Sequence, residues 1–125
     1  ARDRRTYDDL VTPDGLRAIA KYADGIGPST KRIHPLGRDG RLLPRTSLVR
    51  DAHEAGLFVH VWTVRGENAY LPPEYRRGDP GHPAHARTIG DVTGWLERLF
   101  AAGVDGVFAD DPAVARVVRD RLSRG

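Results

Sequence analysis

Residues 48–64, LVRDAHEAGLFVHVWTV, contain a helix, a glycine and a strand in immediate succession. Apolar residues at helical spacing open the segment, and Gly56 stands where a helix ends through a residue in the left-handed conformation. Residues 57–64 are β-branched, aromatic or otherwise apolar apart from His60 and Thr63. A strand that is apolar on both faces is typical of a parallel sheet, and we expect cover on both of its sides.

A second helix and strand precede this segment. The pattern predicts a helix from Pro13 to about Tyr22, a short strand over residues 23–28, and a loop over residues 29–45. Side chains that favour the N-cap position precede the four predicted helices. These are Thr12, either Thr46 or Ser47, Thr88 and Asp111.

A long loop and a third helix-strand unit follow. Residues 65–87 are polar and rich in proline and glycine, so we expect a long loop without a hydrophobic core of its own. The next helix begins after Thr88 and ends at Gly103, and a strand is predicted over residues 104–110. The final helix opens at Asp111. Its predicted apolar stripe contains Val114, Val117, Val118 and Leu122.

Strands that alternate with helices predict an α/β fold with a parallel sheet. An eight-stranded α/β barrel typically needs about 250 residues, so three strands within 125 residues correspond to about half of one. An open dinucleotide-binding sheet is the structural alternative. No predicted strand is followed by the G-x-G-x-x-G turn that would favour it.

Composition limits the classes of partner. The 20 basic residues are scattered among 17 acidic ones, so we expect no nucleic-acid partner. No apolar run approaches the roughly 20 residues of a membrane-spanning helix, and the absence of cysteine excludes disulfides and thiolate metal sites. The chain starts at Ala1 and contains no methionine, so we expect further sequence before it.

Three segments together resemble the C-terminal part of the glycerophosphodiester phosphodiesterase family. They are YADGIGP at residues 22–28, LVRDAHEAGLFVHVWTVR at 48–65 and GVDGVFADDP at 103–112. RGENAYLP at 65–72 resembles the R-x-E-N-x-x-L-P run of the longer, periplasmic-type members. The resemblance covers residues 16–118.

This resemblance implies that residues 1–125 are the C-terminal half of a (β/α)8 TIM-type barrel, one domain with a long loop at 65–87. The implied activity is hydrolysis of glycerophosphodiesters to glycerol 3-phosphate and an alcohol. The family uses a divalent cation, calcium or magnesium, and the H-R-G and E-x-D motifs that supply its catalytic and metal-binding residues are absent here. We therefore assign no catalytic residue and no metal ligand to this chain, and we expect it to be inactive without its partner, the N-terminal half of the same barrel. A periplasmic or secreted location is favoured by the resemblance.

Five residues at the predicted strand ends are candidates for substrate binding, because barrels bind their substrates there. Trp62 and Phe108 could wall the glycerol or alcohol part, Arg65 could pair with the phosphate, and Glu67 with a hydroxyl. Asp110 could hold a polar group at the mouth of the barrel. Each also has a structural interpretation, as a core aromatic, a solvated charge or a carboxylate at a helix start.

Two other functions are open. The chain could belong to a binding module that kept the barrel and lost the metal site. It could also belong to another phosphodiester-cleaving barrel of the phosphatidylinositol phospholipase type, although the Glu67-Asn68 loop argues against that alternative.

Overall fold

The computed structural model describes residues 10–110 and 112–124, with no description of the side chains of residues 123 and 124. Helices and strands alternate in this part of the chain, as the sequence pattern predicts. The helices are α1 (Pro13–Ile19), α2 (Leu48–Glu54), α3 (Val92–Ala101) and α4 (Pro112–Arg124), and the strands are β1 (Gly25–Ile26), β2 (Phe58–Val64) and β3 (Gly106–Ala109). No helix in the described ranges is long and apolar enough to cross a bilayer.

The three strands form one parallel sheet in the order β1-β2-β3. Gly25 pairs with Phe58 and Val61 with Val107, and the register shifts between Val61 and Val64. The predicted α/β class and parallel sheet are therefore confirmed.

Several predicted helix ends are also confirmed. The Thr12 hydroxyl accepts a hydrogen bond from the Gly15 amide at 3.1 Å, which caps α1. Gly56 and Gly103 follow α2 and α3 with φ of 82° and 98°, a conformation that favours glycine. Helix α1 ends at Ile19, earlier than predicted, because the Lys21 and Tyr22 amides bond the carbonyls three residues back instead of four.

Two predictions about caps need correction. Helix α3 begins after Asp91, whose carboxylate accepts from the Gly94 amide at 3.0 Å. The predicted cap, Thr88, instead donates its hydroxyl to the Ala84 carbonyl within the preceding loop. For α2 the N-cap residue is Ser47, but its hydroxyl donates to the Asp51 carboxylate and makes no capping bond. The predicted cap of α4, Asp111, lies outside the described residues.

The apolar stripe of α4 is also shifted from the predicted one. Ala115 and Val118 are buried against the rest of the core. Val117 and Leu122 were predicted on the same stripe, but both are exposed. The helix therefore buries a narrower face than its sequence presents.

One face of the sheet is covered by the helices. Val59, Val61 and Val64 of β2 are buried, and buried side chains from all four helices join them in one cluster. The helical members include Leu16, Leu48, Val49, Ala52, Trp95, Leu96, Leu99, Ala115 and Val118. Burial of each large apolar side chain contributes about 1.5–3 kcal/mol.

The opposite face, which we call the open face, is not covered by any described element. Phe58, Trp62 and Phe108 are 40%, 50% and 58% exposed there. Of the cover expected on both sides of β2, the described residues therefore supply one side only. Gly25 has no Cβ and lies beside the Phe58 ring, where any Cβ would clash, so the ring spreads over the strand edge.

The loop of residues 65–87 is more ordered than its composition predicts. It contains three short 3₁₀ turns, Asn68–Tyr70, Pro73–Tyr75 and His85–Arg87. Leu71 is buried in the main core, so the loop is anchored to the rest of the chain. This contact does not contradict the prediction that the loop has no hydrophobic core of its own.

Asn68 joins the two ends of this loop. Its side chain is fully buried and donates to the carbonyls of Arg77, at 2.7 Å, and His85, at 2.8 Å. Its amide oxygen accepts from the Arg77 amide at 3.0 Å. Loop backbone groups that have no sheet or helix partner are thus paired through one side chain.

Candidate functional site

An open cleft of about 890 Å³ lies where β1 and β2 end and their loops begin. In parallel α/β proteins the carboxyl ends of the strands are the usual place for a ligand. The polar or aromatic side chains that line it are Ser29, Thr30, Lys31, His34, Trp62, Thr63, Arg65, Tyr70, Arg76 and Trp95.

Trp62 and Arg65, two of the predicted site residues, line this cleft. Trp62 donates its indole N–H to the Gly27 carbonyl at 2.7 Å, a bond that ties the ring to the end of β1. The guanidinium of Arg65 lies 4.9 Å from the centre of the Tyr70 ring, within the range of a cation–π interaction.

Asp110 enters the site through Arg65. Its carboxylate lies 3.6 Å from the Arg65 Nε, and both side chains are about half exposed. Such an exposed pair contributes at most about 1 kcal/mol to stability, but it biases the direction in which the guanidinium points.

The other two predicted residues do not line the cleft. Phe108 lies on the open face, with its ring centre 6.2 Å from that of His60. Glu67 lies at the start of the long loop and pairs through its backbone with Ile89. Its Oε2 atom is buried and has no hydrogen-bond partner among the described residues.

The loops bring three residues to the cleft that the sequence interpretation missed, namely Lys31, Tyr70 and Arg76. Arg76 is fixed by its Nε, which donates to the carbonyls of Asn68 and Leu71 at 3.1 and 3.0 Å. Lys31 lies in a 3₁₀ turn that follows β1. The sequence signal that could have identified them is the presence of basic and aromatic residues soon after a predicted strand, because the loops at strand ends form the rim of ligand-binding sites.

His34 also lines the cleft but is buried. Burial lowers the pKa of His34 below its ordinary 6.5, the Leu43 carbonyl opposes this shift, and the charges of Arg98 and Arg45 add to it. The ring is therefore neutral at pH 7. Its Nδ1 lies 3.4 Å from the Leu43 carbonyl, and its Nε2 has no partner in the described part of the chain.

The described residues do not fit a site for a divalent cation. Within residues 10–110 and 112–124, no three histidine, aspartate or glutamate side chains are grouped closely enough to hold a metal. Calcium and magnesium require several oxygen ligands in one place. We therefore derive no step of the chemistry through a metal in this chain.

Comparison with known proteins agrees with the resemblance read from the sequence. The glycerophosphoryl diester phosphodiesterase family matches over residues 1–114. A protein named glycerophosphodiester phosphodiesterase from Arabidopsis thaliana is 35% identical over 106 residues, which cover 85% of this chain and 25% of that protein. A protein of the same name from Treponema pallidum is 33% identical over 110 residues, which cover 85% of this chain and 26% of its own length.

The chain thus spans about a quarter of the length of these curated relatives. The family match, by contrast, extends over most of the chain and includes all three strands of the sheet. The chain therefore belongs to the glycerophosphoryl diester phosphodiesterase family.

Proposed function

We propose that the protein containing this chain hydrolyses glycerophosphodiesters to glycerol 3-phosphate and an alcohol. The observation that carries the proposal is the family match over residues 1–114, together with relatives named for this activity. The strand-end cleft supports it, because arginine and lysine side chains beside aromatic walls suit an organic phosphate.

We also propose that the chain forms the C-terminal half of a (β/α)8 barrel and that the N-terminal half is its partner. The open face supports this arrangement, since the interior of such a barrel is filled with side chains from all eight strands. Phe58, Trp62 and Phe108 would then pack against or face the missing strands. Without that half the chain is inactive.

Within the proposed site, Arg65 binds the phosphate and the Trp62 ring packs against the alcohol or glycerol group. Asp110 orients Arg65, and Phe108 contributes to the wall from the open face. Glu67 does not line the cleft, but we also assign it to a substrate hydroxyl, because its buried Oε2 has no hydrogen-bond partner among the described residues and such an oxygen is costly.

A divalent cation, calcium or magnesium, would polarise the phosphoryl oxygens of the substrate. We place its ligands outside this chain, together with the acid and base groups of the reaction. The part that belongs to this chain is to bind and orient the substrate.

The test is an assay of the intact protein for release of glycerol 3-phosphate from glycerophosphocholine, glycerophosphoglycerol and glycerophosphoinositol. We expect turnover with calcium or magnesium and none with a chelator. The 125 residues alone should be inactive, and mixing them with a separately made N-terminal half should restore activity.

Other outcomes would favour the alternatives. An intact protein that binds these diesters without cleaving them would be a binding module. Cleavage that yields a cyclic phosphate and no glycerol 3-phosphate would indicate a phospholipase of the phosphatidylinositol type. Activity from the 125 residues alone would overturn the placement of the chemistry outside this chain.

A further inference from the structure

The charge of the cleft is one-sided. Lys31, Arg65 and Arg76 line it, and no aspartate or glutamate of the described chain is among the lining residues. His34 is neutral at pH 7 because burial lowers its pKa, so it adds no charge. The lining therefore carries a net charge of +3, from three cations and no anions.

Two of these three cations, Lys31 and Arg76, have no neutralising partner among the described residues. The third, Arg65, forms an ion pair with the Asp110 carboxylate at 3.6 Å. Lys31 and Arg76 have no carboxylate within ion-pair distance in the part of the chain that the structure describes. Arg76 is nevertheless held in place through its Nε, so its charge is fixed at the cleft wall.

A simple phosphodiester carries one negative charge, and Arg65 already faces the cleft to meet it. The positive charge of Lys31 and Arg76 then exceeds what the diester requires. Lys31 belongs to the loop after β1 and Arg76 to the loop after β2, so the excess comes from both loops that border the cleft.

We propose that this cleft selects glycerophosphodiesters whose alcohol carries a further anionic group, such as a phosphate monoester. The inference rests on the proposed function, since it names the substrate class of the same site. Arginine and lysine form charge-assisted hydrogen bonds with phosphate oxygens, and a second phosphate would satisfy the donors that now lack an anionic partner.

A cationic alcohol such as choline is the competing occupant, because aromatic rings attract quaternary ammonium groups. Trp62 and Tyr70 would be the rings available. The Tyr70 ring already has the Arg65 guanidinium over it, and Lys31 and Arg76 would repel a second cation. The cleft therefore disfavours choline.

A matched pair of substrates tests the proposal on the intact protein, namely glycerophosphoinositol 4-phosphate and glycerophosphoinositol, with glycerophosphocholine as the cationic comparison. We expect kcat/KM to be roughly 10-fold higher for the phosphorylated member and lowest for the choline diester. The preference should shrink in about 1 M NaCl, where the Debye length falls to about 3 Å.

Lys31→Gln should reduce the preference about 3-fold, because it removes one exposed charge from the cleft. Lys31→Arg should retain it. The matched control is Lys21→Gln, since Lys21 is the other lysine of the chain, is exposed and does not line the cleft. This variant should keep the full preference.

Calorimetric binding of the same three compounds, with a chelator present to prevent turnover, separates the two claims. Cleavage of all three with equal kcat/KM, unchanged in Lys31→Gln, overturns the charge selection and leaves the proposed function standing. Selective binding without cleavage overturns the proposed function and supports the charge selection. If the intact protein neither binds nor cleaves these compounds, both the charge selection and the proposed function are overturned.

Discussion

The two faces of β2 have similar apolar content and opposite environments. Val59 and Val61 point to the helices and are fully buried, whereas Phe58 and Trp62 point to the open face and are 40% and 50% exposed. Alternate residues of one strand thus meet a packed core on one side and solvent on the other. The residue pattern of β2 is thus that of a strand with packed layers on both sides, whereas the described chain supplies a layer on only one side.

The covered face is packed because each of the four described helices contributes buried side chains to it. The open face exposes three aromatic side chains to solvent, which is unfavourable, and parallel sheets normally have both faces covered. A comparison of variants on the two faces can therefore separate residues that hold this chain together from residues kept for another purpose.

The largest expected effect is on the covered face. Leu99→Ala should lower the free energy of unfolding of this chain by about 2–5 kcal/mol, since it leaves a cavity in a close-packed core. Phe108→Ala on the open face should cost less than about 1 kcal/mol. Urea unfolding of both variants measures the difference, and equal costs would mean that the open face is packed after all.

A second variant tests the loop of residues 65–87, whose backbone is held by hydrogen bonds to the Asn68 side chain. Asn68→Ala should cost about 1–3 kcal/mol, because the part-buried carbonyls of Arg77 and His85 lose their donor. Asp79→Ala in the same loop is the control, since its carboxylate is exposed and, among the described residues, bonds only the nearby Gly81 amide. Thermal unfolding that is unchanged in Asn68→Ala would show that the loop does not rely on this side chain.

Trp62→Ala in the intact protein should separate function from stability on the open face. We expect kcat/KM for glycerophosphodiester hydrolysis to fall about tenfold while the melting temperature changes by only a few degrees. Tyr22→Ala, another exposed aromatic outside the cleft, should change neither quantity. A large fall in Tm with full activity of the remaining folded protein would make Trp62 a core residue.

The smallest expected effect is a pH dependence from His34. Burial lowers the pKa of His34 in the folded chain below the 6.5 of the unfolded chain. At a pH between the folded-state pKa and 6.5, the unfolded chain therefore binds the proton more readily than the folded chain. The stabilising contribution of the neutral ring is complete above about pH 6.5 and is lost progressively as the pH falls toward the folded-state pKa. His34→Gln should therefore show a smaller loss of unfolding free energy between about pH 7.5 and pH 5.5. An identical loss in both proteins would remove His34 as a cause.

The order of elements and the sheet type were predictable because they depend on local signals. Gly56, Gly103 and Thr12 act on their own neighbours, and the structure confirms all three. Thr88 failed as a cap because the loop before it uses its hydroxyl, a competition that no local pattern reveals. Val117 and Leu122 failed as buried residues because helical spacing shows which residues share a face but not how far a neighbour covers that face.

The candidate site was less predictable because it is assembled from distant loops. The strand-end rule found Trp62, which lies in the C-terminal part of β2, and Arg65, which directly follows the strand. Lys31 and Arg76 lie 45 positions apart in the sequence and meet one cleft only through the folding of two loops. Their role depends on the lack of a nearby carboxylate among residues 10–110 and 112–124, which is a property of the folded chain.

The distribution of tryptophan has a practical consequence for observing this cleft. Trp62 and Trp95 are the two tryptophans of the chain, and both line it, one half exposed and the other buried. Indole emission moves to shorter wavelengths when water leaves the ring, so the tryptophan fluorescence of these 125 residues reports on this cleft alone. A compound that displaces water from Trp62 would shift the emission to the blue, while Trp95 would supply a nearly constant background. The cleft therefore carries its own optical probe, and occupancy can be followed without a label or a chemical reaction.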